Sequence, residues 1–333
     1  MTRKPYIIAE AGVNHNGSFD LARKLVDEAV KAGADCVKFQ TFVPEKLVSR
    51  YAEKADYQKA STDENESQLS MLKKLTLSYD NYRDLARYAV SQGIDFCTTA
   101  FDEESISFVH ELGCKFWKIP SGEITNYPYL VQVASYQEPI VMSTGMSNLK
   151  EVGEAVDVIR KYSKASLILL HCNTEYPTPF CDVNLTVMKR MQEEFGCLVG
   201  YSDHTPGIEI PIAATALGAV IIEKHFTLDK NMPGPDHKAS LNPNELCELV
   251  QKVRNVNSAL GNGEKIIQKS EEKNLNIARK SIVAACKIKK GDLFSVKNLT
   301  AKRPGDGISP MRWNEIIGRE AKRDFEEDEL IEL

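Results

Sequence analysis

Eight short apolar runs in this chain end on polar residues of the kinds that hold anions, metal ions and sugars. PYIIAEAG, from Pro5, carries Glu10 and is followed by Asn14 and His15. CVKFQT carries Lys38 and Gln40, and DFCTTA ends in Thr98 and Thr99 just before Phe101. FWKIPSG gives Lys118 and Ser121, with Glu123 next, and PIVMSTG gives Ser143 and Thr144. SLILLHCN ends at His171, Asn173 and Thr174, followed by Glu175 and Tyr176. LVGYSDH gives Ser202, Asp203 and His204, and VIIEKHF gives Glu223, Lys224 and His225. Lysines are costly to bury unpaired, so several of them on apolar strands imply a bound anion or carboxylate partners.

His204 and His225 stand at corresponding ends of consecutive runs. Adjacent strands lie about 4.8 Å apart, so both imidazoles can reach one ion. Two histidines among oxygen-rich neighbours describe an open site completed by substrate and water. Such a site suits Mn²⁺ first, with Mg²⁺ or Co²⁺ as substitutes, over structural zinc. The alternative is a pair of hydrogen-bonded core histidines. Lys38 and Lys118 form a candidate anion clamp, with Thr99, Ser121, Ser143 and Ser202 placed to share the load. Two other readings of the lysines stay open: structural pairing with Glu10 or Glu123, and a Schiff-base lysine. Glu10 and Glu123 are the carboxylates expected near a substrate, to orient a hydroxyl or move a proton. MPGPDH, from Met232, reads as a rigid loop that sets Asp236 at the mouth of the site.

The elements that must position these groups alternate. Between the runs lie amphipathic stretches such as SFDLARKLVDEAVKAG, with a serine N-cap candidate and a terminating glycine. Eight strand–helix units predict an α/β fold, a closed (β/α)₈ TIM barrel, over residues 1–263. An open doubly wound sheet is the lesser choice. Residues 42–78 are too long for an ordinary connection and read as an insertion over the barrel mouth. Residues 264–280 read as a charged helical linker, and 281–333 as a small, mostly β domain with the turn signals KKGD and PGDG.

Composition sets the outer limits. The chain has 333 residues, 27% of them charged, and a formal net charge of −5 with no basic block. That excludes nucleic acid as the main partner but permits an anionic small substrate in a locally basic pocket. No stretch reads as a signal peptide or a membrane span, so no membrane partner is expected. Eight cysteines without a CxxC pair predict reduced thiols and a cytoplasmic location.

The blocks VKFQTF, WKIPSGE, STGM, HCNTEYPTPF, SDHTPG and EKHFTLDKNMPGPDH, in this order and followed by KRPG, resemble the bacterial N-acetylneuraminate (sialic acid) synthases nearly end to end. The resemblance implies a TIM barrel followed by an antifreeze-like (SAF) domain. It also implies a domain-swapped homodimer in which that domain caps the partner's barrel. The implied reaction joins phosphoenolpyruvate to N-acetylmannosamine, with water, giving N-acetylneuraminate and phosphate by C–O cleavage. Metal ligation falls on His204 and His225, and phosphoenolpyruvate contacts fall on Lys38, Thr99, Lys118, Ser121, Ser143 and Ser202. Sugar contacts fall on Glu10, Gln40, Phe101, Glu123, Tyr176 and Asp236, on Asn173 or Thr174, and on Arg303 from the swapped domain. Ala100 stands where many relatives have proline. Related enzymes make legionaminic or pseudaminic acid from diacetamido sugars. The blocks ESQLSMLKKL and HCNTEYPTPFCDVNL look most like the N-acetylneuraminate group. A Schiff-base pyruvate aldolase and a binding protein with an inert barrel are the rival readings.

Overall fold

The computed structural model describes residues 4–62 and 66–333, and the chain divides into two compact units, Met1–Asn262 and Gly263–Leu333. Residues 1–3 of the basic start and 63–65 of the insertion lie outside the described residues.

The first unit is the expected barrel. Its strands are β1 (Tyr6–Gly12), β2 (Cys36–Thr41), β3 (Asp95–Ala100), β4 (Trp117–Ile119), β5 (Ile140–Ser143), β6 (Leu167–His171), β7 (Leu198–Asp203) and β8 (Ile221–His225). They form one eight-stranded sheet in the order β3-β2-β1-β8-β7-β6-β5-β4, and every ladder within it is parallel. β1 pairs with β8 and β3 lies beside β4, so the sheet curls back on itself as a (β/α)₈ TIM barrel.

Between β1 and β2 runs α1 (Phe19–Ala32). Ser18 caps it, its hydroxyl accepting from the Leu21 N–H at 3.4 Å, and Gly33 ends it at φ 77°, a left-handed turn that favours glycine. Between β2 and β3 the insertion carries α2 (Pro44–Leu47), α3 (Asp56–Ser61) and α4 (Gln68–Lys74), followed by α5 (Tyr79–Ser91). The remaining barrel helices are α6 (Glu103–Leu112), α7 (Tyr127–Ser135), α8 (Leu149–Tyr162), α9 (Val187–Phe195), α10 (Glu209–Ala216) and α11 (Pro243–Leu260). Outward-facing strand residues such as Ile7, Val37 and Phe39 pack with their inner faces in one continuous core.

The barrel interior has a second, smaller core. Ile8, Cys36, Cys97, Val141, Leu170 and Ile221 pack together there. Side chains alternate along a strand, so the next inward residue lies two positions on. Stepping up from this apolar plug gives Glu10, Lys38, Thr99, Ser143, Cys172 and Glu223 on the same strands. Lys118 and Ser202 complete that level on the two strands left. The next step reaches Gln40 and His225, and beyond the ends of their strands Phe101, Thr174 and His204. The polar residues are therefore one or two pleats above an apolar floor.

The second unit is small and mostly irregular β. β9 (Ser281–Ala284) and β10 (Leu299–Lys302) pair antiparallel, and single bridges join Val283 to Leu330 and Ile288 to Phe325. Its own core includes Ile282, Ile288, Phe294, Leu299, Phe325 and Ile331. Residues 264–280 group with this unit, where Glu272–Asn274 forms a 3₁₀ turn and Leu275–Ala278 the short helix α12. Among the described residues no helix is long and apolar enough to cross a membrane, and all eight cysteines are free thiols.

Candidate active site

A cavity of about 390 Å³ opens above the polar level at the C-terminal ends of the strands. At its base lies a buried quartet of charges. Lys38 makes a short ion pair with Glu10 and stands 3.7 Å from Glu223. Lys118 stands 3.3 Å from the other oxygen of Glu223. Hydroxyls complete the shell. Lys38 Nζ donates to Thr99 Oγ1 at 3.1 Å, Lys118 Nζ to Ser143 Oγ at 2.9 Å, and Ser202 Oγ to Glu223 Oε1 at 2.8 Å. All four charged residues are less than 5% exposed. Burial pushes the Glu223 carboxyl up, but Lys118 and Lys38, with the Ser202 hydroxyl, outweigh it and hold the group down at about 2. Glu10 is pushed up to about 7 by burial, against the pull of Lys38 and with the push of Glu223. Two cations balance two carboxylates, and the quartet still presents two ammonium groups to the cavity.

Beside the quartet stand the two histidines, with ring centroids 5.5 Å apart. His204 Nδ1 donates a short hydrogen bond to the Asn173 carbonyl, which fixes that tautomer and leaves Nε2 as a lone pair. His225 Nδ1 is buried with no hydrogen-bond partner. Burial lowers His204 to about 4 and His225 well below the usual range, so both rings are neutral. Tyr176 covers the pair, with ring centroids 4.2 Å from His204 and 5.7 Å from His225. Two neutral, adjacent imidazoles, one oriented and one with an orphaned nitrogen, fit a divalent ion. Among the described residues no group of three or more His, Cys, Asp or Glu side chains forms a metal-ligand cluster. Oxygens from substrate and water would have to complete the shell.

The structure brings most of the sequence candidates together. Lys38, Gln40, Thr99, Phe101, Lys118, Ser121, Ser143, Thr174, Tyr176, Ser202, His204, His225 and Asp236 line the cavity. Glu10 lies just behind the wall, held by Lys38. Of the two open choices on the sixth strand, Thr174 is in the wall. Asn173 is not, and it serves His204 through its carbonyl. Glu123 is also outside the wall. Its Oε2 accepts from Asn126 Nδ2 at 2.6 Å, and among the described residues it makes no ion pair with a lysine. The expected structural partner of Lys118 is thus Glu223 rather than Glu123. Arg303 belongs to the second unit, where Nε donates to the Ala278 carbonyl at 3.0 Å.

Glu223 is the group that sequence reasoning passed over. It appears on the eighth strand without a role, yet it joins the two lysines. Its signal was its place two residues before His225, on the same face of the strand. The insertion also contributes wall residues: Gln68 and Met71, which lie in the block ESQLSMLKKL but were assigned no contact, and Gln58, which lies in no block.

The loop that carries Asp236 is pinned from the β1 end. Asn14 Nδ2 donates to the Phe226 carbonyl at 2.8 Å and to Ser240 Oγ at 2.9 Å, and Ser240 Oγ donates to the Asp236 carbonyl at 2.7 Å. Asn16 Nδ2 donates to the Pro233 carbonyl at 2.9 Å. Its Oδ1 lies 3.2 Å from His237 Nε2, while His237 Nδ1 lies 2.7 Å from Thr227 Oγ1. These bonds hold the Asp236 side chain in the cavity, buried at 7% exposure.

A match to the NeuB family over residues 25–265 and to the SAF domain over 279–332 agrees with this architecture. The chain is 53% identical over 331 residues to an N,N'-diacetyllegionaminic acid synthase of Campylobacter jejuni, covering 99% of each chain. It is 48% identical to the enzyme of the same name in Legionella pneumophila, covering 94% of this chain and 89% of that one. The solved N-acetylneuraminic acid (sialic acid) synthetase of Leptospira borgpetersenii is 33% identical, with a TM-score of 0.71 over 81% of this chain and 90% of that one. This chain belongs to the NeuB family of sugar-acid synthases and carries a C-terminal SAF domain. The expected kinship with the N-acetylneuraminate group is the weaker one. The legionaminic acid synthases stand nearer.

Asp236 gives a test of this geometry. Burial alone raises its pKa from 3.8 to about 6. Between these values the folded chain keeps a proton that the unfolded chain has lost, so stability falls as pH rises through this window. Asp236→Asn removes that cost. It is expected to be more stable than the native chain by up to about 3 kcal/mol near neutral pH, a gain that fades as pH falls from about 6 to about 4. Urea unfolding across that pH range measures it, and a pH-independent difference would contradict the burial of a charged Asp236.

Proposed function

We propose that this chain condenses phosphoenolpyruvate with a diacetamido amino-sugar aldehyde, releasing phosphate and giving an N,N'-diacetyllegionaminic acid. The observation that carries the reaction type is the quartet under the histidine pair, in which two buried ammonium groups, neutralised by Glu10 and Glu223, still line the cavity with hydroxyls beside them. The choice of sugar rests on the nearness of the two legionaminic acid synthases. It replaces N-acetylmannosamine, the sugar expected from the sequence, which becomes the comparison substrate.

In this reading Lys38 and Lys118 hold the phosphate and carboxylate of phosphoenolpyruvate, with Thr99, Ser121 and Ser143 donating to their oxygens while Ser202 donates to Glu223. Glu223 holds the two lysines in register without competing for the outer face of the site. Gln40, Phe101, Thr174, Tyr176 and Asp236 bound the space for the sugar. The methylene carbon bonds to the aldehyde carbon, whose oxygen takes a proton. Water then adds to the former C2 of phosphoenolpyruvate and gives up a proton. The C–O bond to phosphate breaks and phosphate leaves with the electron pair, while the remaining hydroxyl on that carbon becomes the ketone carbonyl and passes its proton to the phosphate. Of the two carboxylates expected to move a proton, Glu10 touches the anion seat and takes that task, while Glu123 is bonded to Asn126 outside the wall. His204 and His225 would hold Mn²⁺, or Mg²⁺ or Co²⁺ in its place, and the ion supplies Lewis-acid polarisation of the sugar carbonyl when bound.

We further propose a cytoplasmic homodimer in which the SAF domain of one subunit brings Arg303 to the sugar site of the other. A guanidinium fork keeps its charge and suits an acetamido carbonyl or a sugar oxygen.

Phosphate release from phosphoenolpyruvate, with Mn²⁺ and a panel of sugars, tests the reaction. The diacetamido sugar is expected to exceed N-acetylmannosamine by at least about tenfold in kcat/KM. EDTA is expected to abolish turnover and Mn²⁺ to restore it. Preference for N-acetylmannosamine would return the chain to the N-acetylneuraminate reading. Full activity in a verified metal-free preparation would remove the ion.

The shared site has its own test. Mixed Arg303→Ala and His204→Ala subunits place both defects in one site and neither in the other, so activity should reappear. Confirmed subunit exchange without recovery would contradict swapping.

A further inference from the structure

The wall of the cavity changes character with height. Its base is the anion seat, and the histidine pair, Tyr176 and Asp236 flank the level above. The insertion supplies another part of the wall, through Gln58 on α3, Gln68, Met71 and Leu72 on α4, and Leu75 just beyond it. This wall is fixed in place. Met71 and Leu75 are buried with Val13 and Phe42, and Leu72 and Phe101 pack against the same cluster. Ser67 caps α4 by accepting from the Ser70 N–H at 3.2 Å, and Lys73 bridges to Glu45 of α2 at 2.7 Å. Gln58 Oε1 accepts from the Ala55 N–H at 3.0 Å, which orients that side chain.

Two primary amides set among thioether and leucine surfaces match a particular substituent. The Gln68 side chain offers both a donor and an acceptor, as a secondary amide requires, and Gln58, already bonded to the Ala55 N–H, borders it in the wall. Met71 is a soft, adaptable surface for a methyl group, and Leu72 extends it. A hydroxyl in the same place engages the amides but leaves the apolar surface facing water. The reacting aldehyde carbon has to lie between the lysines and the histidines. The far end of the sugar, which carries the second acetamido group, is then left the upper wall, where the insertion lines the cavity.

We infer that Gln58, Gln68, Met71 and Leu72 form the subsite for the second acetamido group, so that the insertion sets the choice of sugar. This rests on the diacetamido reading above.

The test compares kcat/KM for the diacetamido sugar and N-acetylmannosamine in the native chain, in a Gln58→Ala/Gln68→Ala variant, and in Gln68→Leu, which keeps a good helix former at that position. The ratio is expected to fall by about tenfold or more in the variants, through KM for the diacetamido sugar rather than through kcat. A ratio within about twofold of the native value in both variants overturns the subsite while leaving the diacetamido reading intact. Native preference for N-acetylmannosamine overturns the reading and the subsite together.

Discussion

Four charges buried in a barrel interior constrain everything around them. An unpaired lysine at that depth would lose its proton or unfold the site, and an unpaired carboxylate would behave likewise. Glu10, Lys38, Lys118 and Glu223 solve this jointly, because Glu223 touches both lysines and Glu10 secures one of them. The arrangement holds only if β1, β2, β4 and β8 stop at matching heights. The ladders that put Glu10 beside Lys38 on one side and His225 on the other are therefore part of the chemistry. Gly200 shows how tightly the floor is closed. A Cβ there would meet the Ile221 carbonyl oxygen at 2.6 Å and Leu170 Cδ2 at 2.7 Å, so β7 approaches β8 closely just below Ser202.

A second buried pair lies on the other face of the same strands. Lys224 makes short contacts with Asp203 and with the Thr205 carbonyl, and Asp203 Oδ1 accepts from the Thr205 N–H at 3.1 Å. This pair holds the turn after β7 against β8 and so sets where His204 stands relative to His225. The inward charges line or back the cavity, and the outward pair keeps the strands in register. The three buried lysines of the barrel strands thus divide into two that face the cavity and one that is structural.

Much of this was legible in the sequence. The alternation of apolar runs and helical stretches specifies the barrel, because a parallel sheet buried on both faces needs near-continuous apolar strands. The strand-end polar residues converge because the fold puts all such ends on one rim. What sequence could not supply was depth and direction. Glu123 follows the fourth strand as plausibly as Glu10 ends the first, but a 3₁₀ turn over Ser121–Glu123 sends its carboxylate to Asn126 and out of the cavity wall. Asn173 and Thr174 are neighbours with opposite orientations, and only the backbone shows which one faces inward. The insertion was recognised by its length, while its contribution to the wall depends on how α4 packs on Phe42 and Val13. The sugar was read from two blocks, ESQLSMLKKL and HCNTEYPTPFCDVNL, whereas the comparison over the whole chain favours the legionaminic acid branch that the sequence reading held as the alternative.

The proposed reaction depends on the two cavity lysines acting as an electrostatic seat for phosphoenolpyruvate. Calorimetric titration of phosphoenolpyruvate into the native protein, Lys38→Met and Lys118→Met, each shown to be folded by circular dichroism, measures this most directly. Loss of a charged hydrogen-bonding partner costs about 2–5 kcal/mol, so each variant should bind at least about thirtyfold more weakly. Affinity within about threefold of the native protein in either variant would contradict the account.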